Sequence, residues 1–177
     1  MKKTIKKGPK HKKPSATARR ARLSWDEYFL QMAELVGTRS TCNRGRAGTI
    51  IVKDKRLLST GHSGSPIGLP HCDEVGHEMY TVTNEDGTTS QHCIRTTHSE
   101  QNAIVNAARF GVAIDGATMY SRMVSCYSCA KIVINAGIKR FVAVNDYHAS
   151  NRTKKVFKQA GVKLEIINKE IEKYDRQ

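Results

Sequence analysis

Two short motifs constrain this chain more than anything else in it. His98-Ser99-Glu100 and Cys126-Tyr127-Ser128-Cys129 each open a stretch with helical apolar spacing. A fold that brings the two helix starts together sets one imidazole and two thiols around a single point. That is a three-ligand zinc shell with its fourth position left to water. Helix N-termini are electropositive and lower thiol pKa values, which favours thiolate ligation there. The pair Cys126 and Cys129 alone also suits a structural zinc or a redox couple. The upstream His-x-Glu turns the reading toward catalysis. Glu100 lies about 200° around a regular helix from His98, so it is not expected as a fourth ligand.

At the first turn of its helix, Glu100 instead faces the pocket beside the metal. Zinc lowers the pKa of water from about 15.7 toward about 7. A hydroxide then attacks an aromatic amidine carbon. Glu100 takes the proton from water, protonates the ring nitrogen and delivers a proton to the leaving amine. The arrangement resembles the signature of zinc nucleobase deaminases, His-x-Glu followed by Pro-Cys-x-x-Cys. Ser125 stands where that signature has proline.

The remaining pattern predicts one α/β domain. Ser24 and Glu27 form a capping-box pair ahead of Trp25, Phe29, Met32, Leu35 and Val36, which predicts a helix ending before Gly37. Gly48–Val52 and Leu57–Gly61 read as strands joined by a turn at Lys53-Asp54-Lys55-Arg56. Helices over His98–Phe110, Cys126–Ala136 and Thr153–Ala160 alternate with strands over Ala117–Tyr120, Phe141–Val144 and Val162–Ile167. Such alternation argues a layered α/β fold. The segment 63–95, rich in Gly, Pro, His and Asp, reads as a long loop that needs an organiser.

Charge separates a tail from this domain. Residues 1–22 carry ten of the 30 Lys and Arg residues and no acid, which leaves 20 basic against 16 acidic residues downstream. Residues 1–22 are therefore read as a disordered basic tail and residues 23–177 as the domain. The tail is either a nucleic-acid contact or a solvated extension. No apolar run approaches the roughly 18 residues of a membrane helix, and no apolar leader follows the basic start. A cytoplasmic protein with reduced thiols is expected. Five cysteines cannot all pair internally, so metal ligation is the better default.

Several separated segments, in order, resemble deoxycytidylate (dCMP) deaminases: Gly48–Val52, Thr60–Pro66, Cys93–Ile104, Gly116–Tyr120 and Asn135–Arg140. The resemblance covers about residues 24–167. It implies a cytidine deaminase-like three-layer α/β/α sandwich around a mixed five-stranded sheet. It implies hydrolysis of dCMP to dUMP and ammonia, which supplies dUMP for thymidylate synthesis. It also implies a homohexamer under dCTP and dTTP control, with Mg2+ accompanying a nucleotide effector. The alternative is a zinc deaminase acting on another cytosine or adenine substrate, whether nucleoside, nucleotide or polynucleotide. Three departures stand out. His62-Ser63-Gly64 replaces the usual Tyr-Asn-Gly, Ser99 replaces the usual alanine between His and Glu, and Ser125 replaces proline.

Family versions with the pattern Cys72-Asp73-x-Val75-Gly76-His77 carry a second zinc. The resemblance places it on Cys42, Cys72, His77 and Cys93, a closed Cys3His shell, with His92 and His71 as alternatives to His77. Three separate buried thiols would read the same way in sequence. For substrate, the resemblance puts Ser63 at the sugar-contact position, with His62 beside it, and Tyr147 over the nucleotide. Arg44, just before the first strand, is within reach of a phosphate.

Overall fold

The structure is a computed structural model that describes residues 22–83, 87, 89–168 and 171–172. Apart from Arg22, the basic tail lies outside the described residues. The elements run in order α1 (Trp25–Gly37), β1 (Gly48–Lys53), β2 (Arg56–His62), α2 (Cys72–Val75), β3 (Met79–Thr83), β4 (Thr89–Cys93), α3 (Ser99–Arg109), β5 (Thr118–Met123), α4 (Tyr127–Asn135), β6 (Arg140–Tyr147), α5 (Asn151–Gln159), β7 (Lys163–Ile166) and β8 (Ile171–Glu172).

Helix α1 starts where its capping box requires. The Glu27 N–H donates to Ser24 Oγ at 3.2 Å, and the Ser24 N–H donates to Glu27 Oε2 at 2.7 Å. Asp54 and Lys55 both take left-handed φ values, 51° and 61°. Two consecutive left-handed residues match the right-handed twist of the β1–β2 hairpin they close.

The main sheet has the path β2-β1-β5-β6-β7, and β8 adds to β6 beyond the end of β7. β1 runs antiparallel to β2 and β5, whereas β5, β6 and β7 are mutually parallel. The sheet is therefore mixed. Its alternating side chains serve two cores. Ile50, Val52, Tyr120 and Val142 face α1 through Phe29, Leu30 and Ala33. Ile51, Met119, Phe141 and Ala143 face α3, α4 and α5 through Ala103, Ala130, Val133 and Phe157. One helix on one face and three on the other make the three layers. Each fully buried Ile or Phe contributes roughly 1.5–3 kcal/mol of apolar transfer to this sandwich.

Helix α3 lies unusually close to the edge strand β2. A Cβ on Gly61 would fall 2.2 Å from the Ala103 nitrogen and 2.3 Å from the Ser99 carbonyl oxygen. The contact is also polar. Asn102 and Asn106 donate side-chain N–H groups to the carbonyls of His62 and Thr60, and Ser59 donates its hydroxyl to the Ala103 carbonyl. Two carbonyls of this edge strand, those of Thr60 and His62, are thus taken by a helix rather than left for another chain.

The segment 63–95 is not the irregular loop its composition suggests. It holds α2 and the antiparallel β3–β4 hairpin. Every residue of β3 is exposed, so the strand lacks the inside–outside alternation by which strands are read.

Candidate active site

His98 and Cys126 are the N-caps of α3 and α4. The two helix starts converge on the same face of the sheet, as the motif spacing requires. His98 Nδ1 lies 3.5 Å from Cys126 Sγ and 3.4 Å from Cys129 Sγ. The three donor atoms all fall within 4.8 Å of one another. Left to themselves, these groups share protons. Hydrogen bonds from Cys129 and then His98 hold the Cys126 thiol down at about 4. The bond to Cys126 pushes His98 up to about 9. The Cys129 thiol is pushed up, first by its bond to Cys126 and then by burial. A second thiolate beside the first is disfavoured unless a divalent cation neutralises both. The donor set therefore fits a zinc ion.

Glu100 sits in the first turn of α3, is 7% exposed, and lines the same cavity as His98 and Cys126. Burial pushes its carboxyl upward, an effect opposed by the neighbouring His98. A carboxyl raised by desolvation beside a metal-type donor set is a candidate proton carrier.

A second cluster forms in the segment 42–93. Cys42, Cys72, His77 and Cys93 bring their donor atoms within 4.8 Å. Cys42 Sγ lies 3.7 Å from His77 Nδ1, and Cys72 Sγ lies 3.6 Å from Cys93 Sγ. The other ring nitrogen of His77 meets Asn43 Oδ1 at 2.8 Å, which turns Nδ1 toward the sulfurs. Burial, followed by its sulfur neighbours, pushes Cys72 up to about 12. Of the two alternative histidines, His71 meets Thr41 Oγ1 at 3.0 Å instead. His92 lines the cavity beside Glu100.

Arg44, Ser63 and Tyr147 also line that cavity. His62 is not among the lining residues; its Nδ1 approaches the Ser63 carbonyl at 3.3 Å. Arg44 donates from Nη2 to the Gln91 carbonyl at 2.9 Å, which binds the loop before β1 to strand β4. Tyr147 is buried against His148, and burial pushes its phenol up to about 12. Gln91, His92 and Ser121 line the cavity without having been singled out as substrate contacts. The sequence signal for Gln91 and His92 was only their place beside Cys93, and Ser121 had none.

Comparison with known proteins agrees with this geometry. The family described as "Cytidine and deoxycytidylate deaminase zinc-binding region" matches residues 23–145. ComE operon protein 2 of Bacillus subtilis is 40% identical over 146 residues, covering 82% of this chain and 72% of that protein. The deoxycytidylate deaminase of Schizosaccharomyces pombe is 33% identical over 145 residues, covering 82% of this chain but only 44% of its own length. The structure of dCMP deaminase from cyanophage S-TIM5, in complex with dCMP and dUMP, aligns with a TM-score of 0.65 at 32% identity, covering 79% of this chain and 94% of that one. A matched domain that spans both motifs, on a fold that brings them together, places this chain in the cytidine and deoxycytidylate deaminase zinc-binding family.

Proposed function

We propose that this chain, through residues 23–177, hydrolyses dCMP to dUMP and ammonia. The observation that carries the reading is a buried carboxyl, Glu100, in one cavity with His98 and Cys126, whose donor atoms cluster with that of Cys129. The deoxycytidylate deaminases among its relatives support the substrate. His98, Cys126 and Cys129 hold one zinc. Bound there, zinc acts as a Lewis acid that makes water nucleophilic at neutral pH. Glu100 takes one proton from the water and passes it to the ring nitrogen next to the attacked carbon. It then takes the second proton from the hydroxyl now on that carbon and passes it to the departing amino group, so that water and dCMP balance dUMP and ammonia. Ser63 faces the sugar, Tyr147 covers the base, and Arg44 with His92 meets the phosphate. His62 stays behind Ser63 and shapes its carbonyl.

Cys42, Cys72, His77 and Cys93 hold a second zinc in a closed shell with no open position. The product dUMP feeds thymidylate synthesis. Homohexamer formation and control by dCTP and dTTP, with Mg2+ on the effector, complete the reading through family resemblance. No helix among the described residues is long and apolar enough to cross a membrane, and the cytoplasm is the expected compartment.

The test is ammonia release from dCMP, CMP, deoxycytidine, dCTP and single-stranded DNA, each with and without dCTP and dTTP as effectors. Fastest turnover of dCMP supports the reading. Turnover of the polynucleotide alone overturns the substrate and keeps the chemistry. Metal analysis that finds one zinc in fully loaded protein removes the second site.

A further inference from the structure

Three hydroxyls lie buried between the sheet and α3, next to the proposed proton carrier. Thr49 and Ser99 are 0% exposed, and Ser121 is 1% exposed. Thr49 Oγ1 is 2.8 Å from Ser99 Oγ and 3.2 Å from Ser121 Oγ. Ser99 Oγ in turn donates to Glu100 Oε2 at 3.3 Å. The row therefore starts on β5, crosses β1 and ends on the carboxyl. Buried hydroxyls are costly unless paired, so three in an otherwise apolar layer form a specific arrangement. Each hydroxyl has one proton, and Thr49 gives its own to Ser121, so the single Ser99 proton is shared between Thr49 and the Glu100 carboxyl and ties the two together.

We infer that Ser99 is a positioning residue: anchored through Thr49 to Ser121, it holds the Glu100 carboxyl in the orientation that faces the cavity. This rests on the proposed role of Glu100 as proton carrier. A carboxyl rotates about a soft terminal torsion, and proton transfer falls off when donor and acceptor leave hydrogen-bond reach. Ser99 and Ser121 also line the cavity, so KM is read beside kcat: a positioning role lowers turnover, whereas a direct substrate contact raises KM.

The experiment compares wild type with Ser99→Ala, Thr49→Val and Thr49→Ser in the full chain. Four readouts are taken: zinc content, thermal midpoint, kcat and KM for dCMP, and a crystal structure of the zinc-loaded protein. Ser99→Ala is expected to lower kcat about tenfold with KM and zinc content unchanged. Thr49→Val lowers kcat in the same direction, and Thr49→Ser, which keeps the hydroxyl and loses a methyl, restores it. Crystals of Ser99→Ala show the Glu100 carboxyl rotated or split between two orientations. Unchanged kcat in Ser99→Ala, or equal losses in both Thr49 variants, overturns the inference, because packing alone then explains the row. A wild-type protein inert toward dCMP defeats the proposed function instead. The Glu100 orientation in wild-type and Ser99→Ala crystals then decides the inference by itself.

Discussion

The two donor clusters use the same side chains for opposite ends. The His98, Cys126 and Cys129 cluster stands on the first residues of two helices seated on the sheet. Its donors are placed by the fold, number three, and share a cavity with a buried carboxyl. The Cys42, Cys72, His77 and Cys93 cluster stands on loops, a four-residue helix and a hairpin whose outer strand is wholly exposed. Little apolar burial holds that region, so there the donors organise the chain rather than the reverse. Three donors on rigid elements leave room for chemistry. Under the proposed second zinc, four donors on weak elements would close a shell and hold a wall of the cavity in place.

The comparison predicts opposite responses to mutation. Glu100→Ala is expected to lower turnover by about 10²–10⁴-fold while both metals stay bound; wild-type turnover in that variant would end the catalytic half of the contrast. Cys72→Ser removes one zinc, lowers the thermal midpoint and raises KM, since Arg44 and Gln91 sit beside this cluster. Loss of kcat at unchanged KM and stability would show that the second cluster is not an organiser. Outside both clusters, Arg140 joins α1 to the parallel strands by pairing with Asp26 and Glu165. Its guanidinium holds both carboxyls below their ordinary values of 3.8 and 4.5. That contribution is complete above the ordinary values and lost as pH falls through the depressed ones. Arg140→Met should therefore cost about 1–2 kcal/mol in denaturant unfolding at pH 7 and less near pH 2. Ser24→Ala, which removes one member of the α1 capping box, is expected to cost about 1 kcal/mol with no change in turnover. A larger loss would mean that α1 supports the site as well as the opposite core.

The His98, Cys126 and Cys129 cluster was legible in sequence because motif and helix start coincide. His98 and Cys126 each precede an apolar repeat, and a cap position is a property of local sequence. The main strands were legible from β-branched runs bounded by turn residues. The second cluster became legible through family resemblance, because its donors are spread from Cys42 to Cys93 over irregular chain. The β3–β4 hairpin was hidden by exposure on all sides, and β8 by its length of two residues. His92, an alternative to His77 in sequence, lines the cavity, while His77 is the histidine that joins Cys42, Cys72 and Cys93. The hydroxyl row was invisible because Thr49, Ser99 and Ser121 meet only through the pairing of β1 with β5 and the seating of α3.

The missing side chain at Gly61 has a mechanical consequence. Backbone meets backbone there with no clearance, and His98 and Glu100 ride on the part of α3 that makes the contact. One extra carbon on β2 would tilt the helix and carry imidazole and carboxylate away from the sulfur pair together. A lesion at Gly61, with no reactive group of its own, would then register in an assay as damage to the chemistry.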